Sequence, residues 1–287
     1  MTERTSDRVP ASTHVGRVAL TVGDLDAVLP FYRDAIGFSV ERDGRRAALR
    51  AGDHSVLVLV EEPDAPVRPS DAAGLFHVAV RVPTRSALGD ALVRIRDAGA
   101  ELTGASDHLV SEALYLRDPD GNGLEVYRDR PPEAWPRSTD GTPEMDTLPL
   151  DLADLADAAT GERTLPSATD VGHVHLEVAD LDRSEAFYVD AVGLHVAARY
   201  GEEAAFVAAG DYHHHVGLNV WNRRRSPAAE TRGLRWFELV LPDHGALEDV
   251  RRRLRAAGAE SKAEEGDVLS VADPDDVSLR FVVEPRG

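Results

Sequence analysis

The stretch Phe31-Tyr32-Arg33-Asp34-Ala35-Ile36-Gly37 decides the fold, because a closely similar stretch occurs again further along the chain. The second copy is Phe187-Tyr188-Val189-Asp190-Ala191-Val192-Gly193, and an Asp-Leu pair precedes both copies at the same distance. Three later pairs repeat with a similar offset: Gly74-Leu75 with Gly233-Leu234, Ala98-Gly99-Ala100 with Ala257-Gly258-Ala259, and Asp118-Pro119-Asp120 with Asp273-Pro274-Asp275. A repeat of this length indicates two homologous halves.

Each half contains the same order of elements twice: a strand, a helix and a group of strands. In the first half, apolar runs rich in valine predict opening strands at Val18 to Val22 and at His77 to Val82. A helix follows each strand, at Leu25 to Ile36 and at Arg85 to Ala98, and a glycine ends each helix. The second half repeats this order, so the sequence predicts an α+β fold of four βαβββ modules.

The modules group into two predicted domains, residues 1–130 with modules one and two and residues 170–287 with modules three and four. Residues 131–169 between them are rich in Pro, Asp and Thr, with one short helical pattern around Leu150 to Ala159. Connections of this length are uncommon inside compact domains. We therefore expect a linker that forms a long connecting arm with a short helix.

Composition excludes several classes of protein. The 287 residues carry a formal net charge of -19, so nucleic acid and anionic membranes are not expected partners. Lys262 is the only lysine, and the acidic surface is typical of a salt-adapted protein. The chain has no cysteine, which excludes disulfides and thiolate metal sites. No apolar run resembles a signal peptide or a membrane span, so a cytoplasmic location is expected.

The four modules, with their F-Y-x-D-x-x-G and D-P-D-G-N-G-L-E signatures, resemble the vicinal oxygen chelate superfamily of glyoxalases, bleomycin resistance proteins and extradiol dioxygenases. Two stretches are similar to two-domain bacterial catechol 2,3-dioxygenases, namely Gly172-His173-Val174-His175-Leu176 and Tyr212-His213-His214-His215-Val216-Gly217-Leu218-Asn219. The resemblance covers nearly the whole chain outside the arm. It implies modules paired into two sites, each lined by half-barrels.

The resemblance also implies a metal centre, with Fe(II) expected and Mn(II) as the alternative. Such dioxygenases hold the ion with a His on the first strand of one module and a His and a Glu on the next, which is a facial triad. The C-terminal half supplies His173, but Trp236 and Arg280 stand at the other two positions. Neither type of side chain is a plausible iron ligand.

The N-terminal half has the complementary defect. His77 and Glu125 stand at the module-two ligand positions, whereas Arg17 replaces the first-strand histidine. Together with His173 they form one complete set. We therefore predict a metal site between modules two and three, formed within one chain or across a homodimer.

Other expected site residues fall on the same two modules. Tyr115 matches the family's substrate-binding tyrosine, and His214 matches its acid-base histidine, a role that suits an imidazole. His175 shares a strand face with His173. His213, which we expect on an extended strand and on the opposite face from His214, and His108, in the loop before Tyr115, complete the predicted substrate pocket.

The residues favour one function over two alternatives. A glyoxalase-type isomerase needs a second carboxylate on the last strand of module three, and Val216 to Val220 contains none. A metal-free binding protein of the bleomycin-resistance kind does not require this set of histidines. The prediction is therefore an extradiol dioxygenase that takes a small aromatic diol and dioxygen and opens the ring beside the two hydroxyl groups.

Overall fold

The structure is a computed structural model and describes residues 8–139, 141–227 and 230–284. Each module contains an opening strand and further strands after its helix, as the sequence predicts. In the first half they are β1 (His14–Val22), β2 (Ser39–Asp43), β3 (Arg46–Ala51), β4 (His54–Glu61), β5 (Gly74–Arg81), β6 (Leu102–Asp107), β7 (Ser111–Arg117) and β8 (Gly123–Asp129). After them come β9 (Leu148–Pro149), β10 (Asp170–Glu177), β11 (His195–Tyr200), β12 (Ala204–Ala208), β13 (Val216–Asn219), β14 (Gly233–Leu241), β15 (Ser261–Glu264), β16 (Val268–Ala272) and β17 (Ser278–Val283).

Helices connect the strands within each module. They are α1 (Leu25–Pro30), α2 (Arg85–Asp97), α3 (Leu152–Asp157), α4 (Leu181–Ala186) and α5 (His244–Ala256), with a short 3₁₀ turn at Pro132–Ala134. The end of the first predicted helix is wider than an α-helix, since Phe31–Ile36 is a π-helix and Gly37 N–H donates to Tyr32 O. Phe187–Val192 repeats this π-helix after α4, so the wide turn belongs to the repeated stretch.

The strands form two sheets, and each sheet takes one module from each half. The first has the order β15-β16-β17-β14-β1-β4-β3-β2, and the second has the order β11-β12-β13-β10-β5-β8-β7-β6-β9. Module one therefore pairs with module four, and module two pairs with module three. The predicted α+β class is confirmed.

The tyrosine of each repeated Phe-Tyr stretch forms a hydrogen bond to an aspartate of the same half. The hydroxyl of Tyr32 donates to Asp118 Oδ2 at 2.8 Å, and that of Tyr188 donates to Asp273 Oδ2 at 2.9 Å. Asp118 also accepts from the backbone and the side chain of Asn122. Each buried contact ties the helix of one module to the Asp-Pro-Asp turn of the next, so hydrogen bonds join modules of one half while sheets join modules of different halves.

Alternate side chains along each strand point to opposite faces of the sheet, and one face of each sheet contributes to the core. Val18, Leu20, Val78 and Val80 belong to one continuous core that also contains apolar residues of the helices. The residues between them point to the other face, as the two-residue period of a strand requires. Ala79 there packs with Ala113, Tyr127 and Tyr115, and this face of the nine-stranded sheet carries the histidines.

The arm packs on the second sheet. Its strand β9 pairs with β6, and Asp154 of α3 binds Arg85 at 2.8 Å. No helix within the described residues combines the length and the apolar character that crossing a bilayer requires.

We expect Tyr32→Phe and Tyr188→Phe each to lower the free energy of unfolding by about 1–2 kcal/mol, because each removes a buried hydrogen bond to a carboxylate. Urea denaturation would measure the loss. Tyr200→Phe is the matched control, since Tyr200 is 63% exposed and its replacement should leave stability unchanged. Equal stability of all three variants would contradict a role for these contacts.

Candidate metal centre

Three side chains converge on one face of the second sheet. His77 lies on β5, Glu125 on β8 and His173 on β10, three strands that are neighbours in the sheet. Glu125 Oε2 lies 2.9 Å from His77 Nε2 and 3.0 Å from His173 Nε2, and the two Nε2 atoms are 3.4 Å apart. The structure thus brings together the three predicted ligands.

Strand register produces this convergence. Ala79 stands opposite both His173 on β10 and Glu125 on β8, while His77 stands opposite His175. Residues two apart on a strand share a face, so the four polar side chains point the same way. The residue before His173 has to be a glycine, because a Cβ on Gly172 would lie 1.6 Å from the Tyr127 hydroxyl.

The donor set fits a divalent cation. Separations of about 3 Å match adjacent ligands of an octahedral ion whose bonds are about 2.1 Å long. Two imidazoles and one carboxylate are the facial triad of non-haem Fe(II) sites and leave positions for other ligands. Among the described residues, this is the only group of three or more such side chains whose donor atoms lie close enough to share an ion.

Electrostatics favours the ligand forms of these groups. Burial lowers the pKa of His173 to about 4, against the opposing charge of Glu125. Burial would raise the pKa of Glu125, but the charges and hydrogen bonds of His173 and His77 hold it well below its usual range. At neutral pH, His173 is therefore neutral and Glu125 is ionised, as a bound cation requires.

A cavity of about 960 Å³ opens above these three residues. The predicted site residues Tyr115, His214, His175, His213 and His108 all line it. Phe76, Phe206 and Trp221 add apolar ring surface, and the arm contributes Ser138 and the segment from Thr142 to Thr147. Its size and its mixture of aromatic walls with a few polar groups are typical of a small-molecule site.

Tyr115 is held from behind by His108. The carbonyl of Asp146 in the arm lies 2.7 Å from His108 Nδ1, and the Tyr115 hydroxyl lies 2.7 Å from His108 Nε2. A carbonyl can only accept, so His108 donates from Nδ1, and in its neutral form it accepts from Tyr115 at Nε2. Burial, aided by the charge of Glu125, raises the pKa of Tyr115 well above its usual value, and the hydroxyl therefore stays protonated.

The expected strand at the triple histidine was wrong. Strand β13 begins only at Val216, where pairing with Val174 of β10 starts, so residues 213–215 lie in the preceding loop. His213 and His214 both line the large cavity. His215 instead accepts from the backbone N–H of Ala209 at 3.1 Å and lines a smaller second cavity.

Sequence reasoning missed several residues of the site. The arm was expected to be a connection, yet part of it forms a cavity wall. Asp129, at the end of β8, was not predicted and binds His213 Nε2 at 2.9 Å. Its position two residues after Tyr127 was an available signal, since residues two apart on a strand share a face.

Among the described residues, the first sheet has no equivalent centre. Arg17 forms an ion pair with Glu238 at 2.7 Å, and the Arg280 guanidinium lies 4.5 Å from the centre of the Trp236 ring. Cations beside an indole ring form a cation–π contact and supply no metal ligand. Arg17, Trp236 and Arg280, which stand at the ligand positions of this sheet, thus contact Glu238 and each other.

Comparison with known proteins places the chain in a family. The model of the Glyoxalase/Bleomycin resistance protein/Dioxygenase superfamily matches residues 14–126 and 170–279. The chain belongs to this superfamily. A relative named "Catechol-2,3-dioxygenase" from Bacillus subtilis strain 168 is 44% identical over 254 residues, which cover 86% of this chain and 89% of the relative.

Solved structures support the superfamily fold. A Bacillus subtilis strain 168 protein aligns with a TM-score of 0.66 at 12% identity, covering 98% of this chain and 87% of its own. Glyoxalase I from Zea mays aligns with a TM-score of 0.60 at 17% identity, covering 95% of this chain and 92% of its own. The vicinal oxygen chelate fold predicted from the module signatures is confirmed.

We expect metal-free wild-type protein to bind one Mn²⁺ per chain, measured by titration calorimetry. His77→Ala and His173→Ala each remove a protein ligand, so they should weaken binding by more than the roughly 10- to 100-fold that an outer-shell change costs. Trp236→Phe is the control and should bind as the wild type does. Full affinity in either histidine variant would contradict this centre.

Proposed function

We propose that the protein is an Fe(II)-dependent extradiol dioxygenase that cleaves catechols, with Mn(II) as the alternative ion. The observation that carries the proposal is the convergence of His77, Glu125 and His173 beneath an aromatic cavity. The identity of 44% to a protein named catechol-2,3-dioxygenase agrees with it. The reaction breaks the ring bond beside the two hydroxyl groups and adds both atoms of dioxygen, giving a muconic semialdehyde type of product.

The protein's own residues prepare the substrate. A bound metal would supply Lewis-acid and redox chemistry for the diol and dioxygen. Tyr115 donates its hydroxyl hydrogen to His108, so its oxygen lone pairs are free to accept from a substrate hydroxyl. His214 lies with its ring centre 4.1 Å from that of His173, which places an imidazole beside the metal ligands for proton transfer.

The cavity walls suit a planar aromatic ring. Phe76, His175 and Trp221 form edge-to-face or tilted contacts with centroid separations of 5.2 to 5.4 Å, a preferred geometry for aromatic groups. A volume of about 960 Å³ is at the upper end for small-molecule sites. We propose that the substrate is a catechol and that the site has room for an apolar ring substituent.

Two other functions, a metal-free binding protein and a glyoxalase-type isomerase, explain fewer features of the site. A metal-free binding protein does not explain why two imidazoles and a carboxylate meet within 3.4 Å in a buried position. An isomerase of the glyoxalase type needs a second carboxylate on β13, and Val216–Asn219 offers none.

We expect the iron-loaded wild type to turn catechol yellow and consume oxygen. His214→Ala should lower kcat by about 10²–10⁴-fold, because acid–base groups contribute that much. Tyr115→Phe should also lower kcat, since it removes the hydroxyl oxygen. Product absorbance and an oxygen electrode would measure both effects.

Arg280→Ala is the matched control, because Arg280 lies on the first sheet and should leave kcat unchanged. An iron-loaded wild type that binds catechol without consuming oxygen would overturn the proposed activity and favour a binding protein.

A further inference from the structure

A chain of hydrogen bonds leads from a carboxylate at the end of β8 into the cavity. Asp129 Oδ1 lies 2.9 Å from His213 Nε2, and His213 Nδ1 lies 2.8 Å from His214 Nδ1. His213 and His214 are buried. The last atom of the chain, His214 Nε2, is buried and has no hydrogen-bond partner among the described residues.

Asp129 is anchored as an acceptor. Its second oxygen accepts from the Tyr212 hydroxyl at 2.9 Å and from Arg81 at 3.2 Å. Although burial opposes ionisation, the hydrogen bonds from His213 and Tyr212, with the charge of Arg81, hold the pKa of Asp129 below its usual value. An ionised carboxylate accepts hydrogen bonds and donates none.

The anchored carboxylate sets the direction of the whole chain. His213 must present a hydrogen to Asp129 from Nε2, so a neutral His213 has a lone pair on Nδ1. His214 must then carry its hydrogen on Nδ1, because one of two facing nitrogens has to donate. The Nε2 atom of His214 is left without a hydrogen.

We propose that Asp129 and His213 are positioning residues that hold His214 in the tautomer whose unprotonated Nε2 serves the cavity. This inference rests on the proposed function, in which His214 transfers protons for a bound catechol. In this tautomer, His214 accepts a proton from a substrate hydroxyl at Nε2, and the O–H electron pair stays on the catechol oxygen. The hydrogen bond from His214 Nδ1–H to His213 Nδ1 is kept during this proton transfer.

Asp129→Asn tests the proposal with almost no change in shape. Arg81 and Tyr212 are donors toward one oxygen of residue 129, so the amide oxygen takes that side and the NH₂ group faces His213. His213 then has to accept at Nε2 and donate from Nδ1, which reverses the chain. His214 is driven to the opposite tautomer, with its hydrogen on Nε2.

The measurement is a long-range ¹H–¹⁵N correlation spectrum of the full chain, metal-free and labelled at histidine. Protonated and unprotonated ring nitrogens have well-separated shifts, and His213→Asn and His214→Asn variants assign the signals. We expect an unprotonated Nε2 for His214 in the wild type and a protonated one in Asp129→Asn. Asp170→Asn is the matched control, because Asp170 also binds Arg81 and does not contact His213.

A wild-type His213 with hydrogens on both nitrogens, or a His214 tautomer that is the same in Asp129→Asn, would overturn the proposal. In the iron-loaded enzyme, Asp129→Asn should lower kcat by about 10²–10⁴-fold with little change in KM, as expected for a lost proton acceptor. Because the tautomer is read without metal or turnover, the expected spectra from an inactive wild type would refute the proposed function and leave the hydrogen-bond chain intact.

Discussion

The antiparallel pairing of β5 with β10 is the constraint on which the candidate metal centre depends. It places His77 on the first strand of module two beside His173 on the first strand of module three. The parallel neighbour β8 then brings Glu125 to the same face. A shift of one residue in either register would turn a ligand to the opposite face, so the backbone hydrogen bonds of these strands select the ligand set.

Two groups that only accept hydrogen bonds set the direction of the hydrogen bonds around the site. The Asp146 carbonyl directs the hydrogen of Tyr115 toward His108, and the Asp129 carboxylate orients the two neighbouring histidines. Neither group is one of the three predicted metal ligands. Proton positions around the candidate metal centre therefore depend on groups outside it, one of them in the arm between the halves.

Much of the fold followed from local sequence, because strand alternation, helix ends and the repeated Phe-Tyr stretch are local signals. The pairing of module two with module three followed from chemistry, since only His77, Glu125 and His173 complete a ligand set. The wall formed by the arm could not be predicted, because loops leave no periodic pattern. Strand alternation places Asp129 on the same face as Glu125, but its contact with His213, 84 residues away, leaves no local signal in the sequence.

Because each sheet pairs a module of the first half with one of the second half, the growing chain on the ribosome cannot complete either sheet early. When modules one and two have emerged, β1 and β5 each lack one strand neighbour, because their antiparallel partners β14 and β10 are still to be made. Unpaired strand edges invite association with other chains. The sheets close only when the second half supplies β14 and β10, so a half-synthesised chain exposes two edges at which association can begin.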